Sequence, residues 1–472
     1  MHVAIIGAYG SAGVAAAQVL ADCEGVTLTL IDGGEPGGGL CILRGCMPSK
    51  EVLSAGAHRF QARHDERLSG LPDVHLDRVV ARKNDHTESF AAHRRAAVHD
   101  LASREGVEFL AENARFVDDR TVAVGDRELT PDYVVCATGS TVNVPDIEGI
   151  DDVPYRTSAD VLDATEFGAS GIVMGFGYVG MELVPYLAEA GGVDLTVIEH
   201  DARPLDEADP EFGDRVLDLY REEFNLDIRT NTYEQRVEPT ADGGVRMTVE
   251  NGSDENGRTE TIEADELFVF TGRRPVLDGL GIENTALDPG DGRADGEWVT
   301  DTMQARDDPR VFVVGDVNGK EPVLHVAKEQ GFLAAENALA HHRGDDLEAY
   351  DNTHHHVMFT GLGVYPYARV GHSAESAREA GLDFVSVSRD AADDGVFKTK
   401  DVPEGLGTLV VGTDGTVLGY QGLHYHADAM AKTMQVIIEC GLGVREIPDR
   451  AYHPTTPEIL DSLFREAKEE LG

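Results

Sequence analysis

The sequence predicts an α/β protein that has two doubly wound units and a C-terminal α+β domain. A strand, a glycine turn, a helix and a second strand follow one another from His2 and again from Gly171, which is the opening pattern of a Rossmann-like unit. From about Glu348 the pattern changes to short strands around a turn at residues 413–415, followed by a helix over residues 427–440. A chain of 472 residues exceeds what one hydrophobic core supports, so we expect separate domains.

The protein is predicted to have a strongly acidic surface. Asp and Glu number 86 against 40 Lys and Arg, which gives a formal charge of -46. The carboxylates are spread along the chain rather than gathered in a run, which disfavours an acidic interaction tail. Molar salt shortens the Debye length to about 3 Å and screens the self-repulsion, so we expect a halophilic source. A polyanion would be repelled, which excludes nucleic acid as an expected partner.

The sequence gives no sign of a membrane location. No segment approaches the ~20 consecutive apolar residues of a membrane span. The residues after Met1 form an apolar strand and lack the basic region and cleavage site of a signal peptide. We therefore expect a cytoplasmic protein with no membrane partner.

The first unit opens with a glycine turn after an apolar strand. Glycines let the backbone approach a pyrophosphate at a helix N-terminus, and Asp32 ends the next strand, where it can accept a hydrogen bond from a ribose hydroxyl. Tyr9 makes the pattern GxxGxxG instead of GxGxxG, so this motif is less specific by itself. The dinucleotide-binding residues predicted here are Gly7, Gly10, Ser11, Gly13 and Asp32.

Cys41 and Cys46 follow a run of glycines and precede Pro-Ser-Lys. The four intervening residues can form one helical turn, which would bring both sulfurs to one face and within reach of a disulfide. We therefore predict a redox-active disulfide. A zinc half-site and two unrelated core cysteines are the alternatives, but Cys23, Cys136 and Cys440 lie singly and offer no second ligand pair.

The second unit carries an intact GxGxxG pattern at residues 175–180, between a strand and a helix. An acidic residue, Glu199, follows about 20 residues later. Two such units predict two bound dinucleotides. Glu199 would bind a ribose diol and repel a 2′-phosphate, which favours NAD, although His200 and Arg203 leave NADP open. A solvated acid at the end of a strand is the alternative interpretation.

Later segments repeat the pattern of an apolar strand that delivers polar residues to a sheet edge. The strand at residues 311–314 is followed by Gly315 and Asp316, and the strand at residues 267–270 precedes Gly272 and Arg273. Ligands bind at such carboxyl edges in open α/β sheets. Near the C-terminus, a histidine stands five residues before a glutamate in His-Pro-Thr-Thr-Pro-Glu. A base with an orienting carboxylate is one interpretation of this pair, and a capped turn histidine is the other.

Taken in order, these motifs resemble the pyridine nucleotide-disulfide oxidoreductase family over essentially the whole chain. The resemblance depends on the first glycine turn with Asp32, GGxxCxxxxGCxPSK, Ala-Thr-Gly-Ser, the second glycine turn with Glu182, Gly-Arg-Arg-Pro, Val-Gly-Asp-Val and His-Pro-Thr-x-x-Glu. It implies an FAD-binding domain at residues 1–147 and 269–346, an NAD(P)-binding domain at 148–268 and a dimerisation domain at 347–472. It also implies a homodimer with an active site shared between subunits.

The same resemblance implies a role for each catalytic residue. Cys46 would face the flavin as a thiolate, and Cys41 would exchange with the substrate. Lys50 and Glu182 would pair near the flavin. His453, held by Glu458, would act as general acid and base from the partner subunit. The residues implied to bind FAD and NAD(P) are Gly7, Gly10, Ser11, Gly13, Asp32, Lys50, Thr138, Gly139, Gly175, Gly177, Tyr178, Gly180, Glu199, Gly272, Arg273, Gly315, Asp316, His325 and Ala327.

The substrate is expected to be a disulfide or dithiol, either small or protein-bound. Pro-Ser-Lys and Glu199 resemble dihydrolipoyl dehydrogenases, which also implies a 2-oxoacid dehydrogenase complex as a partner. Ala451 and Tyr178 are more like glutathione reductases, and halophilic archaea use γ-glutamylcysteine, so a bis-γ-glutamylcystine reductase is the alternative. A mercuric reductase is disfavoured because no thiol follows His453. A docking flavoprotein is disfavoured because both thiols are retained.

A run of three histidines at residues 354–356 suggests metal binding. Side chains alternate along a strand, so three consecutive residues cannot converge on one ion. We therefore predict no metal site.

Overall fold

The computed structural model describes residues 1–252, 258–290, 296–450 and 452–472. The chain forms two compact units, each made of three segments. Unit 1 comprises Met1–Pro48, Arg82–Asn143 and Arg273–Asn352, and unit 2 comprises Ser49–Ala81, Val144–Gly272 and Thr353–Gly472. The four-segment division inferred from the sequence stays a prediction. Within the described ranges, no helix combines the length and the apolar character needed to cross a bilayer.

The described residues form both helices and strands. The helices are α1 (Ser11–Leu20), α2 (Leu40–Leu43), α3 (Cys46–His64), α4 (Leu76–Ala102), α5 (Ser158–Asp163), α6 (Tyr178–Glu189), α7 (Pro210–Phe224), α8 (Leu324–Arg343), α9 (Ala374–Glu379), α10 (Gly395–Thr399), α11 (Ala427–Glu439) and α12 (Glu458–Leu471). The strands are β1 (His2–Ile6), β2 (Thr27–Ile31), β3 (Val107–Leu110), β4 (Ala114–Phe116), β5 (Val122–Val124), β6 (Arg127–Leu129), β7 (Tyr133–Cys136), β8 (Ser140–Val142), β9 (Ser170–Met174), β10 (Asp194–Ile198), β11 (Asp227–Arg229), β12 (Thr232–Pro239), β13 (Val245–Asn251), β14 (Thr259–Ala264), β15 (Glu266–Val269), β16 (Arg273–Pro275), β17 (Val311–Val313), β18 (His355–Met358), β19 (Tyr367–Gly371), β20 (Phe384–Asp390), β21 (Gly405–Gly412) and β22 (Val417–His424).

Unit 1 is built on a parallel sheet with the strand order β17-β7-β1-β2-β3. Alternate residues of β1 enter different hydrophobic clusters, Val3 and Ile5 in one and Ala4 and Ile6 in the other, because successive side chains point to opposite faces. The sheet is therefore covered on both faces, as its continuous apolar strands require. Parallel pairing also brings the segments that follow β1, β2, β7 and β17 to the same edge.

Unit 2 contains a parallel sheet, β11-β10-β9-β15, and an antiparallel sheet, β12-β13-β14. Its last segment forms a five-stranded antiparallel sheet with the order β18-β19-β22-β21-β20. Helices α11 and α12 bury Met434 and Leu463 in the same core as this sheet. The fold class predicted from the sequence, two Rossmann-like units and a C-terminal α+β domain, is confirmed.

Candidate functional site

The first glycine turn, between β1 and α1, requires glycine at two positions. Gly7 has a φ of 94°, and a Cβ there would lie 2.2 Å from the carbonyl oxygen of Ala137. A Cβ on Gly13 would lie 2.3 Å from the carbonyl oxygen of Gly7. Helix α1 starts at Ser11 after Gly10, and no side chain caps its first N–H groups. These N–H groups suit a pyrophosphate, so the predicted residues fit a dinucleotide.

Tyr9 stands in this turn, and its side chain is buried. The ring lies against Gly37, where a Cβ would come 2.2 Å from Tyr9 Cε2. The hydroxyl lies 2.8 Å from His99 Nε2, and the carbonyl oxygen accepts a 3.0 Å hydrogen bond from Arg94. Tyr9 thus fixes the turn against α4 and against the glycines that precede Cys41. The sequence did not indicate Arg94 or His99, because no local motif marks them.

Asp32 directly follows β2 at the same edge, where the sequence predicted a strand-end acid. Its carboxylate accepts hydrogen bonds from the N–H groups of Tyr9 (2.8 Å) and Gly34 (2.9 Å). Burial raises the pKa of Asp32, and these two bonds act in the opposite direction. A carboxylate accepts about four hydrogen bonds, so capacity remains for a ribose hydroxyl.

A hydrogen-bonded network around Ser140 lies at the carboxyl edge of the unit 1 sheet. The Ser140 hydroxyl donates to Asp316 Oδ2 at 2.6 Å and accepts from Arg273 Nε at 2.8 Å. Arg273 also donates to the Ser140 carbonyl oxygen at 2.6 Å, and burial lowers the pKa of its guanidinium. Ser140 ends the Ala-Thr-Gly-Ser motif but was not among the predicted binding residues. Its hydroxyl connects Arg273 and Asp316, which were both predicted to bind a cofactor.

The neighbouring predicted residues also lie along this edge. The Thr138 hydroxyl donates to the Val276 carbonyl oxygen at 2.8 Å. Gly139 has a φ of 74°, and no atom lies within 4 Å of the position of a Cβ there. The loop after β7 is therefore fixed by Thr138, with open space beside Gly139 for a ligand.

Helix α8 holds the loop that carries Gly315. The Gly315 N–H donates to Gln330 Oε1 at 2.8 Å, and buried Asn318 donates to the same oxygen at 2.8 Å. A Cβ on Gly315 would lie 3.1 Å from the Cβ of Ala327, so the loop and the helix are in close contact. His325 is half-buried in the first turn of α8. Gln330 is a positioning residue that the sequence did not indicate.

Cys41 and Cys46 carry thiols rather than a disulfide, so the redox disulfide stays a prediction. Cys41 lies in α2 and Cys46 begins α3, while Arg44 has a non-helical φ of -143° between them. The expected single helical turn is therefore wrong. A hydrogen bond still joins the two side chains, and this bond and burial raise the pKa of Cys41. The N–H groups of Cys46 and Met47 act in the opposite direction.

Lys50 and Glu182 form the predicted pair within unit 2. Lys50 Nζ lies 2.6 Å from Glu182 Oε2, and its ammonium also donates to Ser49 Oγ at 3.3 Å. The Phe359 N–H donates to Glu182 Oε1 at 3.1 Å, and Lys50 Nζ lies 4.4 Å from the centroid of the Phe359 ring. The carboxylate and the aromatic ring together hold the lysine's ammonium group in position. No sequence motif indicated Phe359 as a neighbour of this pair.

The second glycine turn repeats the geometry of the first. Gly175 has a φ of 90°, and a Cβ there would lie 2.7 Å from the carbonyl oxygen of Phe270. A Cβ on Gly180 would lie 2.5 Å from the carbonyl oxygen of Gly175. Gly177, the N-cap of α6, has no atom within 4 Å of its would-be Cβ. The two constrained glycines shape the turn, and the third leaves room for a phosphate.

Glu199 holds the same position in unit 2 that Asp32 holds in unit 1. It accepts hydrogen bonds of 2.9 Å from the N–H groups of Phe176 and Asp201, and burial raises its pKa.

Tyr178, at the start of α6, is 46% exposed and donates its hydroxyl proton to a carboxylate oxygen of Glu207. Gly272, also predicted to bind a cofactor, has a φ of 87° and no atom within 4 Å of a would-be Cβ.

His453 and Glu458 form the predicted contact near the C-terminus. His453 Nδ1 lies 3.1 Å and 3.2 Å from the two Glu458 oxygens. Glu458 begins α12, and its pKa is lowered chiefly by the hydrogen bond from the Thr455 N–H and also by His453. The His453 side chain is 77% exposed on this chain. Ala451, used to compare substrates, lies outside the described residues.

Two family models match the chain. One described as pyridine nucleotide-disulphide oxidoreductase matches residues 1–331. One described as the pyridine nucleotide-disulphide oxidoreductase dimerisation domain matches residues 356–463.

Curated relatives and solved structures agree with these models. Dihydrolipoyl dehydrogenase of Halobacterium salinarum is 28% identical over 482 residues, covering 100% of this chain and 96% of that protein. Mercuric reductase of Bacillus cereus is 29% identical over 383 residues, covering 80% of this chain but 57% of that protein. LpdA from Mycobacterium tuberculosis is 22% identical with a TM-score of 0.83 and 99% coverage of both chains. The HOCl-induced flavoprotein disulfide reductase RclA from Escherichia coli is 22% identical with a TM-score of 0.82, covering 98% of this chain and 99% of that one. The structural likenesses show the fold.

Proposed function

Because the chain belongs to the pyridine nucleotide-disulphide oxidoreductase family, whose members are FAD-dependent and act on sulfur groups with a pyridine nucleotide, we propose that it is a dihydrolipoyl dehydrogenase. It would oxidise dihydrolipoamide with NAD+ and release lipoamide and NADH. The observation that carries this substrate is the full-length similarity to dihydrolipoyl dehydrogenases. The similarity to the Bacillus cereus mercuric reductase leaves much of that longer protein unmatched.

The residues of unit 1 fit FAD, and those of unit 2 fit NAD. The two turns in which a Cβ would strike backbone, at Gly7 and Gly175, would let each pyrophosphate approach the start of α1 or α6. Asp316, oriented by Ser140, would hold FAD at the sheet edge. FAD, when bound, passes an electron pair between the cysteine pair and the nicotinamide.

The cysteine pair would carry out the exchange with the substrate. A thiolate of dihydrolipoamide attacks Cys41 Sγ of the Cys41–Cys46 disulfide, a new S–S bond forms, and Cys46 leaves as a thiolate. The second substrate thiolate displaces Cys41 and closes the cyclic disulfide of lipoamide. Two electrons have then moved from the substrate to the cysteines. In the reduced pair the hydrogen bond between the side chains raises the pKa of Cys41, which favours the thiol at that position.

His453 would accept the proton of the attacking substrate thiol. Glu458 contacts Nδ1, which would leave Nε2 for the substrate proton. We assign this pair to the active site of the partner subunit in a homodimer, which the dimerisation-domain match supports. The high exposure of His453 on its own chain agrees with a role across an interface.

Lys50 would supply a fixed positive charge for the cofactor, because Glu182 and Phe359 restrict its position.

Glu199 would bind the ribose diol of NAD and repel the 2′-phosphate of NADP. The acidic composition supports a halophilic source, and the cytoplasmic location stays a proposal. A 2-oxoacid dehydrogenase complex is the corresponding proposed partner.

Steady-state turnover in molar KCl tests the proposal. NADH and NADPH would each be combined with lipoamide and with bis-γ-glutamylcystine, and dihydrolipoamide with NAD+ would test the other direction. Cys41→Ser should abolish turnover, whereas Cys440→Ser, the same change at an exposed thiol, should not. Fast NADH–lipoamide turnover supports the proposal. Fast reduction of bis-γ-glutamylcystine alone would replace it with a low-molecular-weight disulfide reductase, consistent with the exposed Tyr178.

A further inference from the structure

Glu207, His354 and His356 converge in unit 2, apart from the residues assigned above to sulfur chemistry. Their potential ligand atoms all lie within 4.8 Å of one another. His354 Nε2 lies 3.0 Å from His356 Nδ1 and 3.6 Å from Glu207 Oε2. His356 Nε2 lies 3.2 Å from Glu207 Oε1. Two imidazoles and one carboxylate, all potential metal ligands, therefore converge at one place.

The local structure explains why two of the three consecutive histidines meet. His354 directly precedes β18 and His356 lies within it, so their side chains share one face of the strand while that of His355 lies on the other. The Gly371 N–H donates to the His354 carbonyl oxygen at 2.7 Å, which extends the pairing of β18 with β19 and fixes the first histidine. Alternation along the strand removes His355 from the cluster but keeps His354 and His356 together, so the prediction of no metal site does not hold for this pair.

The site is partly enclosed, and the Glu207 carboxylate faces the two histidines. His356 is 6% exposed, while Glu207 and His354 are 28% and 35% exposed, so an ion could enter from one side. The Arg369 guanidinium lies nearby, but it donates to the carbonyl oxygens of Glu207 and Gly371. The Glu207 carboxylate therefore keeps its oxygens for the histidines and for Tyr178.

We propose that Glu207, His354 and His356 form a binding site for a divalent transition-metal ion of the Zn²⁺ or Cu²⁺ type. Two imidazoles and one carboxylate form a donor set that suits such borderline ions, whereas Mg²⁺ and Ca²⁺ prefer oxygen alone. A water molecule would complete four-coordination. The Tyr178 ring lies 5.7 Å from the His356 ring, so the site borders the second glycine turn.

Equilibrium dialysis of the FAD-loaded protein against Zn²⁺ tests the site. Molar KCl and excess Mg²⁺ would suppress binding to the acidic surface. The wild type should bind one Zn²⁺ per chain at this site, and His356→Ala should weaken that binding by at least about 100-fold, since a direct ligand contributes more than the outer-shell partners that cost 10–100-fold. The matched control is His355→Ala, which removes the neighbouring imidazole from the other face and should change affinity less than about twofold.

Three outcomes would overturn the site. In the first, His356→Ala binds Zn²⁺ as tightly as the wild type. In the second, His355→Ala and His356→Ala lose the same amount of Zn²⁺ affinity. In the third, only Cys41→Ser loses the ion, which would place the ion at the thiols. If His356→Ala does not fold, Glu207→Gln decides the question, because it preserves the side chain's shape and should still weaken Zn²⁺ about tenfold or more. X-ray absorption at the zinc edge should then show nitrogen and oxygen ligands without sulfur. Sulfur ligands would contradict the proposal independently of whether the redox function is correct.

Discussion

Lys50 Nζ lies 2.6 Å from a carboxylate oxygen of Glu182 and 4.4 Å from the centroid of the Phe359 ring. Lys50 is in the second turn of α3, Glu182 is in α6, and Phe359 follows β18. Because Glu182 also accepts the Phe359 N–H, one carboxylate orients both the ammonium and the segment after β18. The segment after β18 is thus connected directly to a predicted catalytic pair.

Replacing Glu182→Gln should slow reduction of the flavin by NADH on the order of tenfold. The amide keeps the side chain's shape but loses a charge-assisted hydrogen bond, which is worth about 1.5 kcal/mol or more. Stopped-flow measurement of flavin bleaching at saturating NADH gives the rate. Glu66→Gln, the same change at an exposed glutamate, should leave it unchanged. Equal rates of flavin reduction in Glu182→Gln and the wild type would show that the positioning of Lys50 by Glu182 does not contribute to this step.

Replacing Gly177→Ala should raise the KM for NADH roughly tenfold without lowering the unfolding temperature, since one lost contact of N–H with phosphate costs about 1.5 kcal/mol. No protein atom lies within 4 Å of the new Cβ, so the fold has room for it. The methyl group would instead occupy space that a pyrophosphate needs. Gly395→Ala, also at an open position, serves as the control for steady-state kinetics and thermal unfolding. An unchanged KM would place the nucleotide elsewhere.

Replacing Glu199→Gln should shift nucleotide preference from NADH toward NADPH. The glutamine removes the negative charge that would repel a 2′-phosphate and weakens the bond to the ribose diol, which costs NADH about tenfold in kcat/KM. The ratio of kcat/KM values for the two nucleotides measures the shift. Glu234→Gln would not be a clean control because Glu234 contacts His200, so Glu66→Gln is used again. A wild-type enzyme that already prefers NADPH would contradict the assignment of Glu199.

Local patterns predicted the glycine turns and strand-end acids because their constraints lie within a few residues. Gly7 and Gly175 need positive φ and close backbone contacts, and sequence spacing records both requirements. Asp32 and Glu199 directly follow β2 and β10, so predicting the two strands also locates the two acids. The Lys50–Glu182 pair joins residues far apart in the chain, and only the family resemblance suggested it.

Other features depended on tertiary contacts that no spacing encodes. The break between α2 and α3 occurs at Arg44 and Gly45, and the cysteine spacing alone is equally compatible with one continuous turn. Ser140 and Gln330 are ordinary polar residues in sequence, and their roles come from the groups that packing brings near them. Glu207 becomes a partner of His356 only because a loop of unit 2 returns to β18.

His424 should make the protein less stable as the pH falls from 7 to 5. It is fully buried between the Tyr420 hydroxyl (2.8 Å) and the Tyr425 carbonyl oxygen (3.0 Å), and burial lowers its pKa from 6.5 to about 4. Between these two values the unfolded chain binds a proton that the folded protein does not, so the free energy of unfolding rises with pH. Acidification from pH 7 to pH 5 should therefore cost about 2 kcal/mol through this residue.

Denaturant unfolding at a fixed protein concentration in molar KCl measures this effect. His424→Gln should be less stable than the wild type at pH 7, because it disturbs a buried hydrogen-bonded site, but its loss of stability between pH 7 and pH 5 should be smaller by about 2 kcal/mol. His58→Gln removes an exposed imidazole and should retain the wild-type pH dependence. Parallel pH profiles for His424→Gln and the wild type would show that the imidazole of His424 binds its proton equally well in the folded and unfolded chain, in conflict with its burial.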